Sequence, residues 1–170
     1  MKRIFLFLAV IGITTFSSCT GDTGPRGFPG PDSEVFELQN VNFQLDQNNE
    51  YTIFEQLNPQ LKSADNILIY RMAGTINAQT PIWQLIPRTL FLTQGELDYD
   101  FDFSKVDFTI YAGGTFNIAT VPQFINNQTF RIVIIPGYFS KNSTIDFNDY
   151  NAVIKAFNID DSKVVVLNKK

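Results

Sequence analysis

Glu96-Leu97-Asp98-Tyr99-Asp100-Phe101-Asp102-Phe103 decides the reading of this chain. Carboxylates and apolar residues alternate without a break, and only an extended strand sorts such a run onto two faces. Glu96, Asp98, Asp100 and Asp102 then share one face, and Leu97, Tyr99, Phe101 and Phe103 the other. Just before the run, Gln94-Gly95 follows Arg88–Thr93, and together they read as a tight hairpin in which Gly supplies a positive φ.

The same signal continues outward. Toward the C-terminus, Val106–Ala112 is a strand candidate, with Gly113-Gly114 as a second hairpin turn leading into Thr115–Thr120. Phe130–Ile135 is a central-looking strand ended by Pro136-Gly137. Toward the N-terminus, Val41, Phe43 and Leu45 alternate with Asn40, Asn42 and Gln44, and a polar turn leads to Tyr51–Leu57. Ile67–Tyr70 is continuously apolar, as in a buried strand. Pro87 separates Ile82–Ile86 from Arg88–Thr93 and suits an edge or a bend.

One segment departs from period two. Tyr150, Val153, Ile154 and Phe157 fall on one helical face. Asp146 or Asn148 suits the N-cap, Asp149 the first turn, and Asn158 a left-handed close. Lys163–Leu167 follows as a last strand. The pattern predicts a mainly β fold, an antiparallel β-sandwich of roughly seven to nine strands with one short C-terminal helix at an end or edge. The alternative is an α+β sheet with the helix packed across a face.

Composition bounds the chemistry. With 170 residues, 44% hydrophobic and 17 of them Phe, the chain has material for one packed core. It contains no His and a single Cys, Cys19. That excludes Ser-His-Asp and Cys-His nucleophiles, imidazole bases, His/Cys zinc sites and internal disulfides. The expectation is a protein without enzymatic activity or cofactor. Apart from the terminal Lys169-Lys170 and the leader's Lys2-Arg3, the basic residues stand singly, so nucleic acid is not an expected partner.

The N-terminus carries an address. Lys2 and Arg3 precede an apolar Ile4–Ile13, the form of a secretory signal peptide over residues 1–18. Phe16-Ser17-Ser18-Cys19 resembles the lipobox of bacterial lipoproteins, with Phe16 where Leu is usual. That resemblance implies an acylated Cys19, and the following Thr20 implies export to the outer membrane. Gly21, Gly24, Gly27 and Gly30 recur in a collagen-like Gly-X-Y register with Pro25, Pro29 and Pro31 between. The tract is a semi-rigid spacer; at about 3 Å per residue it holds the following domain roughly 35 Å from the lipid. Lipobox, Gly-X-Y tract and Phe-rich domain together resemble the small collagen-like lipoproteins of Bacteroidota-type bacteria. The expected layout is a signal peptide at 1–18, lipidated Cys and linker at 19–32, and a globular β-rich domain at 33–170.

Two candidate sites stand out. The carboxylate row Glu96, Asp98, Asp100 and Asp102 is a possible site for a cation such as Ca²⁺ or for a basic partner. Asp98-x-Asp100-x-Asp102 fails as an EF-hand, because Phe103 stands at the Gly position and Thr109 at the bidentate Glu position. Alternate carboxylates on a strand also lie about 7 Å apart, too far for neighbours to grip one ion unaided. The simpler reading is a solvated acidic face that discourages edge pairing. Trp83, with Tyr70 and Phe91 near in sequence, is the second candidate, an aromatic platform for glycan stacking. The expected function is a non-enzymatic structural or interaction module of the cell envelope, binding the membrane through the lipid on Cys19 and a further envelope protein. The alternative is a glycan-binding module of a surface nutrient-uptake system.

Overall fold

The alternating segments build two five-stranded sheets stacked face to face. The computed structural model describes residues 34–137 and 145–167. The signal peptide, Cys19 and the Gly-X-Y tract lie outside the described residues. The strands are β1 (Glu34–Val41), β2 (Gln44–Leu45), β3 (Tyr51–Gln56), β4 (Asn66–Asn77), β5 (Thr80–Ile86), β6 (Arg88–Leu92), β7 (Gly95–Phe103), β8 (Asp107–Gly114), β9 (Gln128–Ile135) and β10 (Val165–Val166), with one helix, α1 (Tyr150–Ala156). The first sheet has the order β10-β1-β9-β4-β5 and the second β2-β3-β8-β7-β6. Every pairing is antiparallel except β1 with β10.

Two cores result. Between the sheets, Leu38, Ile69, Phe130 and Ile132 of the first meet Ile53, Leu97, Tyr99, Phe108 and Ile110 of the second. On the outer side of the first sheet, Tyr150, Val153 and Phe157 of the helical segment cover Val35, Tyr70, Val133 and Ile135. Burying each of these large helical side chains contributes about 1.5–3 kcal/mol, which is what anchors so short a helix. The Asp149 carboxylate caps it by accepting from Ala152 N at 3.1 Å, and Asn158 closes it at φ 51°. The architecture is a β-sandwich whose helix lies across one outer face rather than at an end or edge.

Several local expectations are corrected. Gly113 and Gly114 are not a hairpin turn. They lie inside β8, paired with Asp98 and Leu97, and Thr115–Thr120 is a turn followed by a short 3-10 helix. The reason for Gly114 is close approach, since a Cβ there would stand 2.6 Å from the Glu96 carbonyl oxygen. Gly95 does have a positive φ of 141°, but it pairs with Leu92 as the first residue of β7, so the two turn residues of the β6–β7 hairpin are Thr93-Gln94 rather than Gln94-Gly95. The alternation from Val41 to Leu45 is two strands in different sheets, with Asn40 left-handed at φ 53° near the crossing. Asp149, not Asp146 or Asn148, is the N-cap, while Asp146 holds the preceding turn through Asn148. Ten strands replace the expected seven to nine, and β2 and β10 are only two residues long. At Pro87 the chain leaves the edge of one sheet and enters the edge of the other, the bend the sequence predicts.

Candidate functional site

The outer face of the second sheet is set by strand register. Glu96, Asp98, Asp100 and Asp102 do share one face of β7, beside Gly113, Tyr111 and Thr109 of β8. Leu97 and Tyr99 turn into the core, whereas Phe103, at the strand end, is exposed. β7 lies between β8 and β6, so the acidic row does not guard an edge; its neighbours are already paired. Thr89 donates to Asp98 Oδ1 at 2.6 Å and the Tyr111 hydroxyl donates to Asp102 Oδ2 at 2.9 Å. Because residue 113 has no side chain, a shallow hollow of about 660 Å³ opens between Asp98, Asp100 and Tyr111. No group of three or more carboxylates able to hold a metal ion occurs among the described residues.

Among the described residues no helix covers this face. The helix covers the first sheet, leaving Phe54 at 55% and Phe91 at 80% exposure on the acidic side of the second. Arg88, the one basic residue in its five strands, alternates with Thr89 and lies on the side of Leu90 and Leu92, which pack on the core. No carboxylate of the row is within ion-pair distance of a cation among the described residues.

The outer face of the first sheet holds the second surface. Register sets Glu37 of β1 directly opposite Arg131 of β9, and Arg131 opposite Tyr70 of β4. Arg131 donates from Nε to Glu37 Oε2 at 2.8 Å and from Nη1 to the Tyr150 hydroxyl at 2.6 Å and Asp161 Oδ2 at 3.1 Å. Tyr150 donates in turn to Asp161 at 2.9 Å. The Arg131 guanidinium carbon lies 4.5 Å from the centre of the Trp83 ring. Two open hollows, about 490 and 460 Å³, share Pro81, Trp83 and Arg131.

Trp83 is half-buried. The companions expected from sequence do not join it as a platform. Tyr70 is fully buried, its ring edge-on beneath Tyr150, and Phe91 belongs to the other sheet. Tyr150, Arg131, Glu37 and Asp161 surround it instead, and sequence reasoning did not single out these last three. Arg131 had a visible signal, a charged residue inside the apolar run Phe130–Ile135, where a partner is obligatory.

Compared with protein-family models, curated proteins and solved structures, the chain matches none of them. Its class is that of its fold, a mainly β two-sheet sandwich with one short helix across a face among the described residues. No helix among the described residues is long and apolar enough to cross a membrane.

Proposed function

We propose that the chain is a bacterial cell-envelope lipoprotein, acylated on Cys19 and held at the outer membrane, whose sandwich is a non-enzymatic interaction module. Lipobox and Gly-X-Y spacer support the address. The observation that supports the module is the outer face of the second sheet, where, among the described residues, Phe54 and Phe91 stand exposed and flank four carboxylates with no basic side chain among them. An uncovered sheet face with large exposed aromatics is a contact surface by its energetics, and its charge selects a protein partner presenting Lys or Arg. The four carboxylates stand in a row along one strand rather than converging on a point, and this supports binding over catalysis.

The test is photo-crosslinking in cells from side chains replaced at Phe54 or Thr109, with exposed Lys155 on the helix as control. The expected result is one envelope protein captured from the acidic face only, and less of it at high salt. Equal capture from Lys155, or none from either face, would overturn the reading.

A further inference from the structure

We propose that the two hollows meeting at Trp83 form a binding groove for an extended neutral oligosaccharide, on the side of the sandwich opposite the acidic face. A sugar presents an apolar C–H face and a rim of hydroxyls, so its site needs a fixed aromatic ring beside groups that both donate and accept. Both requirements are met. Trp83 is held by the Arg131 guanidinium over its ring and by Tyr150 at 5.8 Å between ring centres, so little side-chain freedom is left to lose on binding. The larger hollow adds Gln79, Asn148 and Asn151, whose amides supply donors and acceptors, with Ile82 against the apolar side. Its volume of about 490 Å³ is that of an ordinary small-molecule site.

Charge decides the class of sugar. The one cation shared by both hollows, Arg131, is already engaged by Glu37 and Asp161, and Asp149 adds a further carboxylate to the rim. Among the described residues lining the hollows no uncommitted positive charge is left for a uronate, a sialate or a phosphate, and the surplus of carboxylates there repels them. Because the hollows share Pro81, Trp83 and Arg131, a chain occupying both runs past Trp83 from one hollow into the other.

The chain contains a single Trp, so its fluorescence reports on this groove alone. Short gluco-, manno-, xylo- and N-acetylglucosamine oligosaccharides would be titrated into the purified protein, alongside an array of neutral and acidic glycans. The expected result is saturable binding of at least one neutral class, with a shift in Trp83 emission and no binding of its uronate-bearing counterpart. Gln79→Ala with Asn151→Ala removes two exposed rim amides and should weaken binding about tenfold or more at unchanged melting temperature. A silent array with flat fluorescence would overturn the proposal, as would affinity unmoved by the double variant or equal affinity for acidic glycans. None of these results depends on whether the acidic face captures a protein.

Discussion

The Arg131 guanidinium carbon lies over the Trp83 ring, 4.5 Å from its centre, while the same guanidinium forms an ion pair with Glu37 at 2.8 Å. One side chain thereby joins β1, β5, β9 and the helix. Burial works against its charge, but the bonds to Glu37 and Tyr150 outweigh burial and hold its pKa above the ordinary arginine value. The cluster is therefore a permanent ionic junction, and it shapes both hollows of the outer face.

Breaking this junction on one side is expected to be costly. Arg131→Ala leaves Glu37, itself only 8% exposed, without its cation, and should destabilise by about 3–5 kcal/mol in urea unfolding. Arg131→Met combined with Glu37→Leu should cost much less than the two single changes summed. Additive costs would show that the pair is not coupled.

Arg71 behaves in the opposite way. It faces the inter-sheet core at 7% exposure, donates from Nε to Gln128 Oε1 at 2.8 Å, and lies 4.7 Å from the Tyr99 ring centre. Burial lowers its pKa, and no carboxylate lies within ion-pair distance among the described residues. Replacing it with Met keeps most of the packing and removes an expensive desolvation but leaves the buried Gln128 Oε1 without its donor, so Arg71→Met should cost about 1–2 kcal/mol, less than Arg131→Ala. A loss of several kcal/mol on thermal unfolding would contradict this.

The two adjacent glycines of β8 should respond differently to one methyl group. A Cβ at Gly113 meets nothing within 4 Å, whereas at Gly114 it meets Glu96 O at 2.6 Å and Ile118 Cγ2 at 2.9 Å. Gly113→Ala should be neutral or slightly stabilising, and Gly114→Ala should cost about 1–3 kcal/mol. Equal melting temperatures for the two variants would contradict the strand register.

Alkali should unfold the domain through its buried tyrosines. Burial is the main cause that pushes Tyr99 up to about 12, and it raises Tyr70 and Tyr150 higher still. Unfolded, these phenols lose their protons near pH 10, while the folded ones keep them. Unfolding then releases protons, so the contribution is fully present below pH 10 and is lost as pH rises toward the folded values. Each buried tyrosine should add a slope of about 1.4 kcal/mol per pH unit above pH 10. Urea melts between pH 8 and 11.5 check this, and Tyr99→Phe should reduce the slope.

Much of the architecture was legible because local patterns and the fold agree. The β7 alternation, the bend at Pro87, the helical spacing of Tyr150, Val153 and Phe157, and the left-handed Asn158 each read correctly from short-range chemistry. The sheet change after Val41 did not, because Val41 and Phe43 both point into the same core whichever sheet carries them. Gly113-Gly114 misled because composition does not separate a glycine that turns from one that makes room. In the Trp83 groove only Trp83 itself was legible. Glu37 and Arg131 are 94 positions apart in the chain, and only strand register brings them together.

The proposed address at Cys19 is the central claim of the envelope-lipoprotein reading, and acylation tests it most directly. Cells expressing the protein would be fed an alkyne-bearing fatty acid, then fractionated and compared with Cys19→Ala. The account predicts that the wild-type chain takes up the label, enters the detergent phase and sediments with outer membrane, while Cys19→Ala does none of these. A wild-type chain that stays unlabelled and water-soluble would contradict it.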